Sequence, residues 1–190
     1  MVGPGEILEF WFSDRARPLW FEKDPDFDAE IRRRFAATHE AARTGRLASW
    51  EGAAESSLAL VIVLDQFPRN MFRGTARAFS TDALARAAAD RAIGRGFDQA
   101  VEFDRRRFFY LPFEHSENLA DQRRSVALFR ALLDAAPDHW REEMQVQLDY
   151  AERHLEIIER FGRFPHRNRI LGRETTPEEA EFLKGPNSSF

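Results

Sequence analysis

The segment that most restricts the fold is residues 58–64, an unbroken apolar run (LALVIVL). Taken alone, such a run reads equally as a buried strand or as a buried stretch of helix. Two observations decide for helix. No second segment offers a strand to pair with it, and the flank at residues 53–59 (AAESSLA) is rich in helix formers. A helix that is apolar on all sides has to lie at the centre of its neighbours. Pro68 is expected to end it.

Around this centre the sequence spells further helices. Asp24 followed by Pro25 has the form of an N-cap and a first helical residue. Phe27, Ile31, Phe35, Thr38 and Ala42 then recur every three or four positions up to Gly45. Ser80, Thr81 and Asp82 open a helix whose apolar face is Leu84, Ala87, Ala88 and Ala92. Residues 104–110 form a short amphipathic piece that breaks before Pro112. Another helix is expected to start at Phe113 or Glu114 and to carry Leu119, Gln122, Val126, Phe129 and Leu133, apolar except for Gln122. Pro137 opens the longest helix, to about Phe161. It bears one stripe of Trp140, Met144, Leu148, Ala151, Leu155 and Ile158, and an adjacent one of Tyr150, His154, Ile157 and Phe161. Thr176, Pro177 and Glu179 announce the last helix as a capping box. The tail, residues 185–190, reads as a turn with an aromatic end at Phe190. The expectation is one all-α domain over residues 1–190, with about eight helices in antiparallel hairpins. That pattern suits a tetratricopeptide-like array.

Composition narrows the function classes. Net charge is −4 with no long run of one sign, so nothing marks a nucleic-acid partner. The longest apolar run falls far short of the roughly 20 residues that span a bilayer, so no membrane partner is expected. The start, MVGPGEILEFWF, lacks a basic lead and carries Glu6 and Glu9, unlike a secretory signal. Cysteine is absent, which removes disulfides, thiol nucleophiles and thiolate zinc sites and leaves a cytoplasmic protein as the expectation. Phe occurs 18 times, so aromatic packing should dominate the core. Lys occurs only at Lys23 and Lys184, so 26 of the 28 basic residues are arginine. Arginine pairs bidentately with carboxylates and stacks on rings.

Three segments combine aromatic, Pro, Arg and acidic residues at the joints between helices. They are residues 64–74 (LDQFPRNMFRG), 109–117 (FYLPFEHSE) and 160–174 (RFGRFPHRNRILGRE). The third echoes the first in its Phe-Pro and Arg-Asn elements. With EFWF at residues 9–12, Trp20-Phe21 and the closing Thr176-Pro177-Glu178-Glu179, these segments resemble a bacterial domain-of-unknown-function family, number 924. The resemblance runs over nearly the whole chain. It implies an all-α, tetratricopeptide-like fold and carries no reaction, cofactor or catalytic residue with it.

The residues themselves suggest how the three segments meet. Glu114, Glu117 and Asp121, at i, i+3 and i+7, would share one helix face, with His115 beside them. A charge ladder between these acids and Arg69, Arg73, Arg163, Arg167 or Arg173 would pin helix register. If the arginines outnumber the acids, the surplus binds an anion, either a small molecule or an acidic peptide. The candidate ligand-binding set is Asp65, Arg69, Asn70, Arg73, Tyr110, Glu114, Glu117, Arg167, Asn168 and Arg173. A rival reading is a cofactor-independent hydrolase using Glu114, His115 or His166. A third is a purely structural charge network. No metal and no cofactor are expected, since no helix carries two His at zincin spacing. His154 reads as a core histidine, while His39 and His139 read as surface residues.

Overall fold

The computed structural model describes residues 1–186 and Ser188. The aromatic chain end expected at Phe190 lies outside the described residues. Among them there are eight α-helices and no strand: α1 (Pro4–Trp11), α2 (Pro25–Arg43), α3 (Ala54–Met71), α4 (Asp82–Gly94), α5 (Arg107–Glu114), α6 (Leu119–Asp134), α7 (Arg141–Phe161) and α8 (Pro177–Phe182). The chain is all-α, as expected. None of the described helices is long and apolar enough to cross a membrane.

The structure divides into two compact units. The first is Met1–Arg73 together with Arg77–Pro112, and the second is Gly74–Ala76 together with the chain from Phe113 onward. Helix α5 runs through the change, with Phe113 and Glu114 counted in the second unit.

In the first unit α3 packs against α1, α2 and α4, which is the central place its apolar run demands. Every residue from Ser57 to Pro68 is buried. Phe67 sits among Phe35, Trp11 and Phe10, with ring centroids 4.8, 5.6 and 6.4 Å away. The strand alternative is settled in favour of helix, but Pro68 does not end it: α3 continues to Met71. The physical reason is local. Proline at position 68 has no N–H for the carbonyl of Leu64, four residues back. The Thr81 hydroxyl donates to that carbonyl at 2.6 Å instead. Thr81 therefore precedes α4 without capping it through its side chain. The buried face of α4 is Ala85, Ala88, Ala89 and Ala92, so the expected face is shifted, and Leu84 is exposed. Asp24 caps α2 as expected, accepting from the Phe27 N–H at 2.8 Å.

In the second unit α6 packs on α7. Met144, Leu148, Ala151, His154, Ile157 and Ile158 form the buried face of α7, while Tyr150 is exposed against expectation. Gly162, at φ 67°, stops α7 in the left-handed conformation that glycine adopts without strain. Ile157, Ile158 and Phe164 cluster with Leu119, Phe161 and Phe182. The capping box of α8 is present, with Thr176 and Glu179 exchanging bonds.

Three further boundaries differ from the sequence reading. Helix α7 starts at Arg141, after a 3-10 turn at Asp138–Trp140, rather than at Pro137. Helix α5 passes through Pro112 rather than breaking before it, and ends at Glu114. Helix α6 begins only at Leu119, where the Asn118 side chain accepts from the N–H groups of Ala120 and Asp121. Glu114, Glu117 and Asp121 therefore do not share one helix face. They lie at the end of α5, in the connecting loop and in the first turn of α6, respectively.

Candidate functional site

The loop at residues 115–118 is shaped by one side chain. Gln122, fully buried on α6, donates from Nε2 to the carbonyls of Glu114 and Ser116, each at 2.6 Å, and reaches that of Phe113 at 3.5 Å. Phe113 and Glu114 close the last turn of α5, where carbonyls lack the usual helical donor, and Ser116 follows it; the Phe113 carbonyl also accepts from the Ser116 N–H at 3.2 Å. The loop is further fixed by the Ser116 hydroxyl, which donates to Asp121 at 2.7 Å.

Onto this loop the segment after α7 is fastened by charge. Arg173 grips Glu117 bidentately at 2.6 and 2.9 Å. The Phe164 N–H donates to Glu117 at 2.8 Å, and Arg173 donates to the Phe164 carbonyl at 3.0 Å. Arg173 also donates to Asn168 Oδ1 at 3.0 Å. Asn168 Nδ2 in turn donates to Glu179 at 3.1 Å. Arg163 holds Glu179 at 2.6 and 2.9 Å. The path from Glu117 to Glu179 is thus continuous. Arg163 is the largest influence on the Glu179 carboxyl and, with the cap N–H of Thr176, lowers its pKa to about 2 against the opposing effect of burial. For Glu117 burial works against ionisation, but the bonds from Arg173 and Phe164 prevail and its pKa is lowered.

Beside this frame lies a second group of residues around Phe164. Arg167 places its guanidinium over the Phe164 ring, 4.5 Å from the centroid, and donates to the His115 carbonyl at 3.0 Å. The His154 and His166 rings lie 5.5 and 5.6 Å from the Phe164 ring. His154 Nδ1 is 2.8 Å from the Tyr150 carbonyl and 3.4 Å from Glu114 Oε1. The carbonyl can only accept, so Nδ1 carries the proton. Burial drives the His154 pKa down to about 3; the Tyr150 carbonyl opposes this, while the charges of His115, Arg167 and His166 reinforce it. His115 and His166 themselves are partly exposed. Three of the five histidines of the chain therefore gather near Glu114 and Arg167.

Of the candidate set, Glu114, His115, Glu117, His166, Arg167, Asn168 and Arg173 come together in the second unit. Asp65, Arg69, Asn70, Arg73 and Tyr110 belong to the first unit. There Arg69 donates to the Asp65 carbonyl at 2.7 Å and to Asp82 at 3.0 Å. Asn70 donates to Asp28 at 2.8 Å, and Arg73 holds the same carboxylate at 2.7 and 3.0 Å. Tyr110 donates to Asp98 at 2.8 Å. Sequence reasoning missed His154 as a neighbour of Glu114, Gln122 as the organiser of the loop, and Glu179 as more than a capping residue. Gln122 had left a signal as the one polar residue on an apolar face. No group of three or more His, Asp or Glu residues positioned to hold a metal ion occurs among the described residues.

His39 corrects another expectation. It is fully buried in the first unit rather than exposed, with Nε2 3.5 Å from the Thr81 hydroxyl. Burial, reinforced by Arg77, lowers its pKa to about 4. This has a consequence for stability. Between the lowered values of His39 and His154 and the ordinary 6.5, the unfolded chain takes up protons that the folded chain refuses. Stability is therefore expected to fall as pH drops below 6.5, by roughly 1.4 kcal/mol per pH unit for each imidazole. Urea denaturation at pH 7 and pH 5 checks this, and His39→Leu should reduce the slope. Glu179 acts lower down: its contribution, intact above about 4.5, is lost as pH falls toward about 2.

Among curated proteins, none matches the chain. A solved structure of a protein of unknown function from Agrobacterium tumefaciens is similar to it at 50% identity and a TM-score of 0.86, over 96% of this chain and 97% of that one. The family described as "Bacterial protein of unknown function (DUF924)" matches residues 7–187. That match takes in the three aromatic-arginine segments and the frame that joins the last two, and the chain belongs to this bacterial family.

Proposed function

We propose that the protein is a helical binding module whose second unit takes a small anionic ligand, a carboxylate or a phosphate, against His115, His166 and Arg167. One observation carries this reading: His115 from the loop after α5, and His166 and Arg167 from the turn after α7, all act on the surroundings of His154, with Glu114 as the adjoining carboxylate. Of these residues His115 and His166 are partly exposed, while Arg167 is buried. Arg163 and Arg173 serve the frame, because each is gripped by a carboxylate of its own. The Arg167 guanidinium lies over the Phe164 ring and donates to the His115 carbonyl, which presets its orientation and reduces the ordering cost of binding.

The test is thermal stability with inorganic phosphate or succinate against sodium chloride at equal ionic strength. A ligand present at about ten times its Kd stabilises by about 1.4 kcal/mol, which raises Tm by roughly 3–6 °C in a chain of this size. The rise should shrink in His166→Gln and in Arg167→Gln. An equal rise with chloride, or an undiminished rise in both variants, contradicts the proposal.

A further inference from the structure

The turn that carries His166 and Arg167, Pro165–Arg167, is set by the residue that follows it. Asn168 is fully buried, and each of its polar groups is used. Its N–H donates to the Pro165 carbonyl at 3.0 Å, and its carbonyl accepts from the Arg173 N–H at 2.8 Å. Its side-chain oxygen accepts from the Arg173 guanidinium at 3.0 Å, and its side-chain nitrogen donates to Glu179 at 3.1 Å. The carboxamide has one workable orientation: turned over, its nitrogen would meet a guanidinium and its oxygen a carboxylate.

Glu179, on α8, is equally committed. It is 2% exposed. Its carboxylate accepts from Arg163 at 2.6 and 2.9 Å, from the Thr176 N–H at 2.8 Å and from Asn168. The acceptor capacity of a carboxylate is thereby filled. Among the described residues, Glu179 is the one of α8 that is buried. Otherwise α8 is held by Phe182 against Phe161, with ring centroids 5.1 Å apart, and by the exposed pair of Glu178 with Arg160. An exposed pair contributes little. The placement of α8 therefore reaches the turn through Glu179, with Asn168 as the link.

We infer that Glu179 is a positioning residue of the anion site: acting through Asn168, it couples the docking of α8 to the turn that presents His166 and Arg167. The inference rests on the anion-site reading above. Glu179 itself does not touch the ligand, since its oxygens are occupied and its charge repels an anion. The coupling runs both ways. Whatever factor docked α8 adds to anion affinity, a bound anion adds to the docking of α8.

The experiment compares amide exchange of the intact protein in saturating inorganic phosphate and in sodium chloride at equal ionic strength. The N–H groups of Ala180 and Leu183 donate to the Thr176 and Glu179 carbonyls, each at 2.9 Å. Their exchange should slow by about fivefold or more in phosphate, from the lower end of usual coupling strengths upward. Glu179→Ala should weaken phosphate binding by a similar factor. It should also displace the His166 ring signal without phosphate, because that ring lies 5.6 Å from the Phe164 ring. Glu178→Ala, on the same helix but off the Asn168 link, should leave affinity and ring signal as in the parent chain. If the parent binds no phosphate, the anion-site reading falls, and the ligand-free ring signal still decides for Glu179. Should the alanine variant not fold, Glu179→Gln takes its place, because a carboxamide cannot accept from Arg163 and Asn168 as the carboxylate does. The inference is overturned if phosphate binds and exchange in α8 matches the chloride control. It is overturned equally if the His166 signal stays in place in the Glu179 variant, or if Glu178→Ala moves it as far.

Discussion

Phe67→Ala should lower the stability of the protein by about 3–5 kcal/mol, the usual cost of truncating a fully buried phenylalanine. Phe67 is inaccessible to solvent on α3 and touches rings from α1 and α2. Its removal takes away contacts with Phe35, Trp11 and Phe10 at once and leaves a cavity that neighbouring helices cannot close without shifting. A loss of 3 kcal/mol is a large share of a typical domain's stability of about 5–15 kcal/mol. Chemical denaturation of the two proteins side by side measures it. Phe67→Leu keeps much of the volume and should cost less. A loss under about 1 kcal/mol in the alanine variant would mean that α3 is not the centre of the first unit.

Gln122→Leu should be the costliest polar substitution, at roughly 2–4 kcal/mol. Two carbonyls, of Glu114 and Ser116, lose a donor at 2.6 Å inside the protein. Each buried polar group left without a partner costs about 1–3 kcal/mol, and the leucine side chain recovers part through its own burial. The local consequence reaches further than the energy. With the carboxamide gone, the loop that presents His115 and Glu117 loses the bonds that set its path. Amide exchange at residues 115–118 should accelerate more than exchange in the middle of α6. Uniform acceleration through both would argue that Gln122 contributes to stability without shaping the loop.

The helices were legible where pattern and punctuation agreed. Asp24-Pro25 and Thr176-Pro177-Glu179 pair a cap with a first-turn proline, and both helices start there. The segment at residues 53–71 was identified as helix by the absence of a partner strand, a global argument, and by its helix-forming flank at residues 53–59. Its passage through Pro68 was not legible, because Thr81, which accepts the burden of the missing N–H, lies thirteen residues further on. The break between α5 and α6 had a local sign in Asn118, a capping residue with Asp121 in the first turn behind it. The attraction of an evenly spaced acidic ladder concealed it. His39 falls between Phe35 and Ala42 on a buried stripe, so its burial followed from the same periodicity that identified His154.

For the site, the pairing of arginine with carboxylate was legible as chemistry but not as partners. Glu117 finds Arg173 and Glu179 finds Arg163, across 56 and 16 residues. Which guanidinium meets which acid depends on how the loops fold back, and residue type alone carries no such information. The gathering of His115, His154 and His166 was hidden for the same reason: they stand on a loop, in the middle of α7 and in the turn after it.

The central claim, that His115, His166 and Arg167 form an anion site, is tested most directly by the histidine ring signals in a phosphate titration at pH 6. The account predicts that the His115 and His166 rings shift saturably, while exposed His139 responds only as it does to chloride. Equal response of all three, or none beyond the chloride control, would contradict it.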